Sequence, residues 1–188
     1  MQGKIVVLGK KKLIFTLAVL LGVVVPLMAV SYYAPVEDVA GKVYDAVTYS
    51  SEGQGISFNY PQGWLIRVEK DYSGGEILEH VSFRSPDRAA HGFVQVMKLN
   101  QGIPEYVQEA KKSMTPGYDS LKFKKTNVGD RTGFVLSYRR GSGDARMTAL
   151  EYFFSKDGKI YRFSCFYPEK MDDRYAVTFG EMLASFTF

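Results

Sequence analysis

Only two histidines (His80 and His91), one cysteine (Cys165) and one tryptophan (Trp64) occur in the 188 residues. Each scarcity removes a class of chemistry. A zinc site takes about three or four ligands of suitable type. Two histidines and one thiol on separate strands or loops leave too little to assemble one, so no metal and no cofactor is expected. A lone cysteine closes no intramolecular disulfide, so an oxidising compartment is neither required nor excluded. Acidic residues are missing from residues 1–36, which carry Lys4, Lys10, Lys11 and Lys12. The formal net charge of +4 and the pI near 9.0 therefore belong to that segment. Residues 37–188 balance 20 basic residues against 20 acidic ones. A neutral domain lacks the basic footprint that nucleic acid attracts, and no nucleic-acid partner is expected.

Apolar residues are plentiful. The chain is 46% hydrophobic and 14% aromatic, enough for a packed core. From Leu13 to Val30 run 18 residues without a charge. As a helix they would span about 27 Å, close to the hydrocarbon thickness of a bilayer. Lys10, Lys11 and Lys12 stand just before the run, and the positive-inside bias places residue 37 onward outside the cytoplasm. Two readings stand: a retained single-pass anchor at the cell membrane, or a signal peptide cleaved to release a secreted domain. No cysteine adjoins the segment, which argues against a lipoprotein anchor. The expected organisation is a basic tail (1–12), a transmembrane helix or signal peptide (13–36), a connector (37–52) and an extracytoplasmic domain (53–188).

Within the domain the period is mostly two. Gly55 to Tyr60 alternates apolar and polar residues and stops at Pro61; Trp64 to Glu69, Ile77 to Phe83 and Phe93 to Leu99 are further strands. Ile103, Tyr106, Val107, Ala110 and Met114 follow helical spacing, with Pro104 in the first turn. Strands return at Leu121–Val128, Phe134–Arg139, Met147–Phe154 and Ile160–Tyr167. Asp157-Gly158 between the last two is a tight-hairpin signal. A second helix closes the chain, capped by Asp172 or Asp173 and apolar at Ala176, Phe179, Met182, Leu183 and Phe186. The expected class is α+β, an antiparallel β-sheet flanked by helices.

The catalytic signals are weak. Cys165 lies mid-strand, where a small buried filler is the common role. Asp172-Asp173 with Glu169 suits a helix N-terminus without catalysis. Gly53-Gln54-Gly55 and Gly141-Ser142-Gly143 lack the lysine of a phosphate loop and read as turns. Tyr152, Phe154, Tyr161 and Phe163 read as core. The functional candidates are basic and aromatic residues around one hairpin: Tyr138, Arg139, Arg140, Arg146 and Arg162. Of these, Arg139, Arg140 and Arg146 are the candidate contacts for a partner or an anion. Consecutive Arg139 and Arg140 must point to opposite faces if both lie in the strand.

The segment Phe58-Asn59-Tyr60-Pro61-Gln62-Gly63-Trp64, the turn Asp157-Gly158-Lys159-Ile160-Tyr161, and a closing helix running into Ser185-Phe186 together resemble the PsbP-like family. The first matches that family's opening F-x-Y-P-x-G-W hairpin, and the resemblance covers roughly residues 45–188. It implies an α/β/α sandwich. It also implies a non-enzymatic binding or assembly role, since plant and cyanobacterial members are extrinsic photosystem subunits and many bacterial members are exported or anchored. The lysine-led apolar segment has the form of a bacterial anchor and not of a plant transit peptide. No ligand residue carries over. The function expected is a membrane-anchored, extracytoplasmic binding or assembly module with a protein partner at the envelope. The alternative is a small-ligand carrier or enzyme with a pocket between sheet and helix.

Overall fold

The computed structural model describes residues 45–69, 76–112, 114 and 118–188. The basic tail, the segment 13–36 and the start of the connector lie outside the described residues. Among those described, no helix is long and apolar enough to cross a membrane.

Among the described residues, nine strands and two α-helices follow in the order β1 (Ala46–Ser51), β2 (Ile56–Pro61), β3 (Leu65–Glu69), β4 (Ile77–Arg84), β5 (His91–Met97), α1 (Ile103–Lys112), β6 (Tyr118–Val128), β7 (Arg131–Arg140), β8 (Met147–Lys156), β9 (Lys159–Pro168) and α2 (Asp172–Ser185). Strands β1 and β2 form a separate two-stranded ribbon. The other seven make one antiparallel sheet in the order β3-β4-β5-β9-β8-β7-β6. After β5 the chain runs through α1 to the far edge and returns as a meander, so that β9 closes against β5. The β8–β9 turn has positive φ at both Asp157 (51°) and Gly158 (72°), as a type I′ hairpin needs.

Side chains alternate across the sheet, and each face has its own core. On the inner face, Val81, Phe83, Val94, Phe163 and Tyr167 meet Ile56 and Phe58 of the ribbon and Tyr175, Phe179 and Met182 of α2. On the outer face, Met97, Leu136, Ala149, Phe153 and Ile160 meet Ile103 and Val107 of α1. The result is a three-layered α+β domain with a helix on either face. Trp64 packs its ring on Phe83, Tyr175 and Phe179 at centroid distances of 5.5–6.4 Å, closing the β3 side of the inner core. The stripe Tyr152, Phe154, Tyr161 and Phe163 lies on that same inner face, and Cys165 is fully buried within it. Burial pushes the Cys165 thiol pKa far up, away from nucleophilic use.

Three expectations need correction. The connector assigned to 37–52 contains β1, whose register runs from Ala46↔Pro61 to Ser51↔Ile56. Only Tyr49 of β1 packs against the core, so the strand lacks the alternation that would announce it. The closing helix is not capped by an aspartate side chain. A 3-10 turn, Glu169–Met171, enters it directly, and Met171 takes the cap position without a side-chain bond. The Asp172 carboxylate instead accepts a hydrogen bond from Thr148 Oγ1 at 2.9 Å. Finally, Tyr175 and not Ala176 begins the buried stripe of α2: Ala176 is exposed, whereas Tyr175 is buried and packs on Trp64 and Tyr167.

Candidate functional site

Cross-strand pairing arranges the outer-face side chains in rows. One row reads Leu65, Arg84, His91, Phe166, Ala149 and Tyr138 from the β3 edge inward. The next reads Arg67, Ser82, Phe93, Ser164, Glu151 and Leu136, and a third Glu69, His80, Gln95, Arg162 and Phe153. Helix α1 packs on the β7–β8–β9 end of these rows and reaches Met97 at the end of β5, while Leu65, Arg84 and His91 stay exposed and Phe93 half-buried on the β3–β4–β5 end.

The covered half holds a buried charge. Glu151 is 3% exposed, yet its carboxylate is fully engaged. Oε1 accepts from the Tyr138 hydroxyl at 2.8 Å. Oε2 accepts from Ser164 Oγ at 3.1 Å and from Arg162 Nε at 2.8 Å, and a second Arg162 nitrogen donates to it as well. A carboxylate that takes two guanidinium N–H groups on one oxygen and hydroxyl donors on both is the form in which a buried charge is tolerated. Burial and the Glu151 carboxylate together drive the Tyr138 pKa well above its usual value, so the phenol stays a donor.

The network continues toward the open half. Arg162 donates to Gln95 Oε1 at 3.2 Å, which fixes the amide so that its nitrogen faces His80 Nδ1 at 3.0 Å. An amide nitrogen only donates, so Nδ1 must accept and the neutral His80 ring carries its proton on Nε2. Burial, aided by the Arg162 charge and opposed by Glu69, holds the His80 pKa below its ordinary value. The Arg162 guanidinium also sits over two phenylalanine rings, Phe93 at 4.8 Å and Phe153 at 5.6 Å.

On the open half, two imidazoles lie flat on phenylalanines: His80 on Phe93 (5.1 Å, 25°) and His91 on Phe166 (5.2 Å, 20°). Phe93 and Phe166 are themselves 5.9 Å apart. Leu65 projects beside them with 65% of its surface exposed. Between Leu65, Arg67, Ser82, Arg84, His91 and Phe93 runs a trough of about 460 Å³. Its floor is backbone at Gly92, where an added Cβ would lie 2.4 Å from the Phe83 ring and 2.1 Å from the Ser164 carbonyl oxygen. Lost hydration and the Arg84 charge both lower the His91 pKa.

The arginines singled out from sequence lie at the opposite end of the sheet's width. Glu169 brings Arg139 and Arg146 together, at 2.5 Å and 3.1 Å. Arg146 also binds Asp119 at 2.9 Å, and Arg139 lies 3.9 Å from Asp172. Two guanidiniums thus face three carboxylates. Arg140 points to the other face, over the Tyr118 ring at 5.3 Å. Arg162 belongs to the buried network and not to this group. Sequence reasoning passed over Glu151, Gln95 and Ser164, and the signal for them was thin. A lone glutamate in Met147-Thr148-Ala149-Leu150-Glu151-Tyr152-Phe153-Phe154 has apolar neighbours on both sides, which marks an inward charge needing a partner. Among the described residues, no group of three or more His, Cys, Asp or Glu is placed to hold a metal ion.

The family model for PsbP-like proteins matches residues 38–188. Among solved structures, the chain is similar to cyanobacterial PsbP from Synechocystis sp. PCC 6803. That match has a TM-score of 0.56 and 20% identity, covering 80% of this chain and 98% of that one. It is also similar to a Bacteroides thetaiotaomicron protein, with a TM-score of 0.50 and 18% identity over 74% of this chain and 47% of that one. At these identities the structural likeness speaks to the fold alone. No curated protein matches the chain.

Proposed function

We propose that this chain, which belongs to the PsbP-like protein family, is a non-enzymatic binding or assembly module that meets a protein partner with the uncovered β3–β4–β5 half of its sheet. In this reading residues 13–36 hold it at a membrane, with the domain outside the cytoplasm. One observation carries the binding role: the sheet face joins an exposed Leu65 to two stacked histidine–phenylalanine pairs while both cores are filled. Exposed apolar and aromatic surface rimmed by charge is the usual signature of an interaction site. An enzyme pocket would call for convergent catalytic groups. The trough offers His91 stacked on Phe166, with Arg84 as the charge that perturbs it.

The test is crosslinking in native membranes from benzoylphenylalanine placed at Phe93 in the full chain, beside the same group at exposed Lys124 on β6. A discrete adduct from position 93 and none from position 124 is expected. No adduct from position 93, or equal adducts from both, would overturn the reading. Fractionation of the same cells tests the anchor, which requires the full-length chain in the membrane pellet after carbonate washing.

A further inference from the structure

We infer that the partner segment is acidic, seating an apolar or aromatic side chain in the trough between Leu65 and Phe93 and placing carboxylates on Arg84 and Arg67. This rests on the binding-module reading and adds the chemistry of the partner. The argument is one of charge in an apolar setting. Among the described residues the cations of the open half are Arg67, Arg84 and Arg162, and the acids are Glu69 and, beneath Arg162, Glu151. Arg162 is committed to Glu151. Arg67 reaches Glu69 only at 3.8 Å, with most of its side chain exposed. Arg84 is exposed and makes no ion pair among the described residues. Its place is between Leu65 and His91 in one cross-strand row.

An unmatched guanidinium flanked by apolar surface is where an incoming carboxylate gains most. Covering the trough expels water, and the ion pair then forms in a lower dielectric. The arrangement is poor for a basic partner, which would meet exposed Arg67 and Arg84. It is also poor for a second copy of this chain, because a two-fold interface would set the patch against its own like charge. The Arg139–Arg146 group offers no comparable site, since Glu169, Asp172 and Asp119 already answer its charge.

The test pans a phage-displayed library of random dodecapeptides on the purified full chain in detergent, and on Arg84→Glu and Leu65→Ser chains. Both substitutions fall on exposed side chains, so unchanged melting temperatures will show that the fold is kept. Enrichment of peptides that combine Asp or Glu with an aromatic or aliphatic residue is expected. Their binding should weaken about tenfold or more in Arg84→Glu, and severalfold in Leu65→Ser. Enrichment of basic or purely apolar peptides, no enrichment, or equal binding to all three chains would overturn the inference. The crosslinking from position 93 separates the two claims. A hetero-partner adduct alongside non-acidic peptides defeats only the acidic partner, whereas absence of any adduct defeats the binding module itself. An adduct between two copies of the chain would overturn both the acidic segment and the separate partner.

Discussion

The two halves of the outer sheet face belong to one sheet and both carry phenylalanine and arginine, yet they solve opposite problems. Under α1, phenylalanine, leucine and isoleucine close a dry core, and the one acid admitted there, Glu151, is satisfied by three neighbours. Beyond α1, imidazoles and a guanidinium stack on half-buried phenylalanines. Amphipathic rings let that surface stay wet without collapsing. What decides the difference is where α1 ends, and not the sequence of β5 or β9. Energetically, the covered half should hold the fold while the open half is free to serve contact.

The sharpest break in that comparison is Glu151→Ala. It leaves Arg162 with an unpaired charge and strips the Tyr138 and Ser164 hydroxyls of their acceptor, a loss of about 3–5 kcal/mol. Urea unfolding followed by far-UV circular dichroism reads it directly. Adding Arg162→Met should recover much of the loss, because the pair costs nearly as much to desolvate as it returns. A double variant as unstable as the single one would show that Glu151 matters for its packing and not its charge.

A matched pair of truncations comes next. Phe153 and Phe93 lie on the same face with the same guanidinium over both rings. Phe153 is 1% exposed, so Phe153→Ala should cost about 3–5 kcal/mol through lost burial and a cavity. Phe93 is only half-buried, and Phe93→Ala should cost about 1 kcal/mol, mostly the cation–π and stacking contributions. Thermal melts of the two variants check this. Equal losses would mean that the open half is as structural as the covered one.

The sequence makes half of this contrast visible. Strand period and the Asp157-Gly158 turn locate the meander, and the helical spacing from Ile103 locates α1. Which face α1 covers, and how far, is set by the return of β9 beside β5, a pairing across more than sixty residues that no local pattern encodes. Both faces of β8 and β9 are buried, so their alternation is blurred and Glu151 and Arg162 do not announce themselves as partners. The arginine doublet at Arg139-Arg140 drew attention as a local cluster of charge. Its neutralising acids arrive from distant segments, Asp119 on β6 and Glu169 beyond β9, and a linear scan cannot bring them together. The open face is hidden for the same reason, since Leu65, Arg84, His91 and Phe166 become neighbours only through three successive cross-strand pairings.

The smallest expected effect lies where the halves join. His80 is joined through Gln95 to the hydrogen-bonded chain from Glu151 and also stacks on Phe93 of the open face. Its folded-state pKa is below the ordinary imidazole value. As pH falls below about 6.5 the unfolded chain therefore binds a proton that the folded chain resists, and stability declines until the folded pKa is passed. His91 adds a decline of the same sign. Protonated His80 would turn Nδ1 into a donor facing the Gln95 amide nitrogen, so the penalty has a geometric cause as well as a solvation one. His80→Gln keeps an acceptor in reach of Gln95 but cannot titrate. Urea midpoints at pH 7 and pH 5 should therefore separate less for that variant than for the parent chain, and His91→Gln in addition should narrow the gap further. If His80→Gln lost as much stability on acidification as the parent, the histidine would be a bystander and the network would end at Gln95, wholly within the covered half.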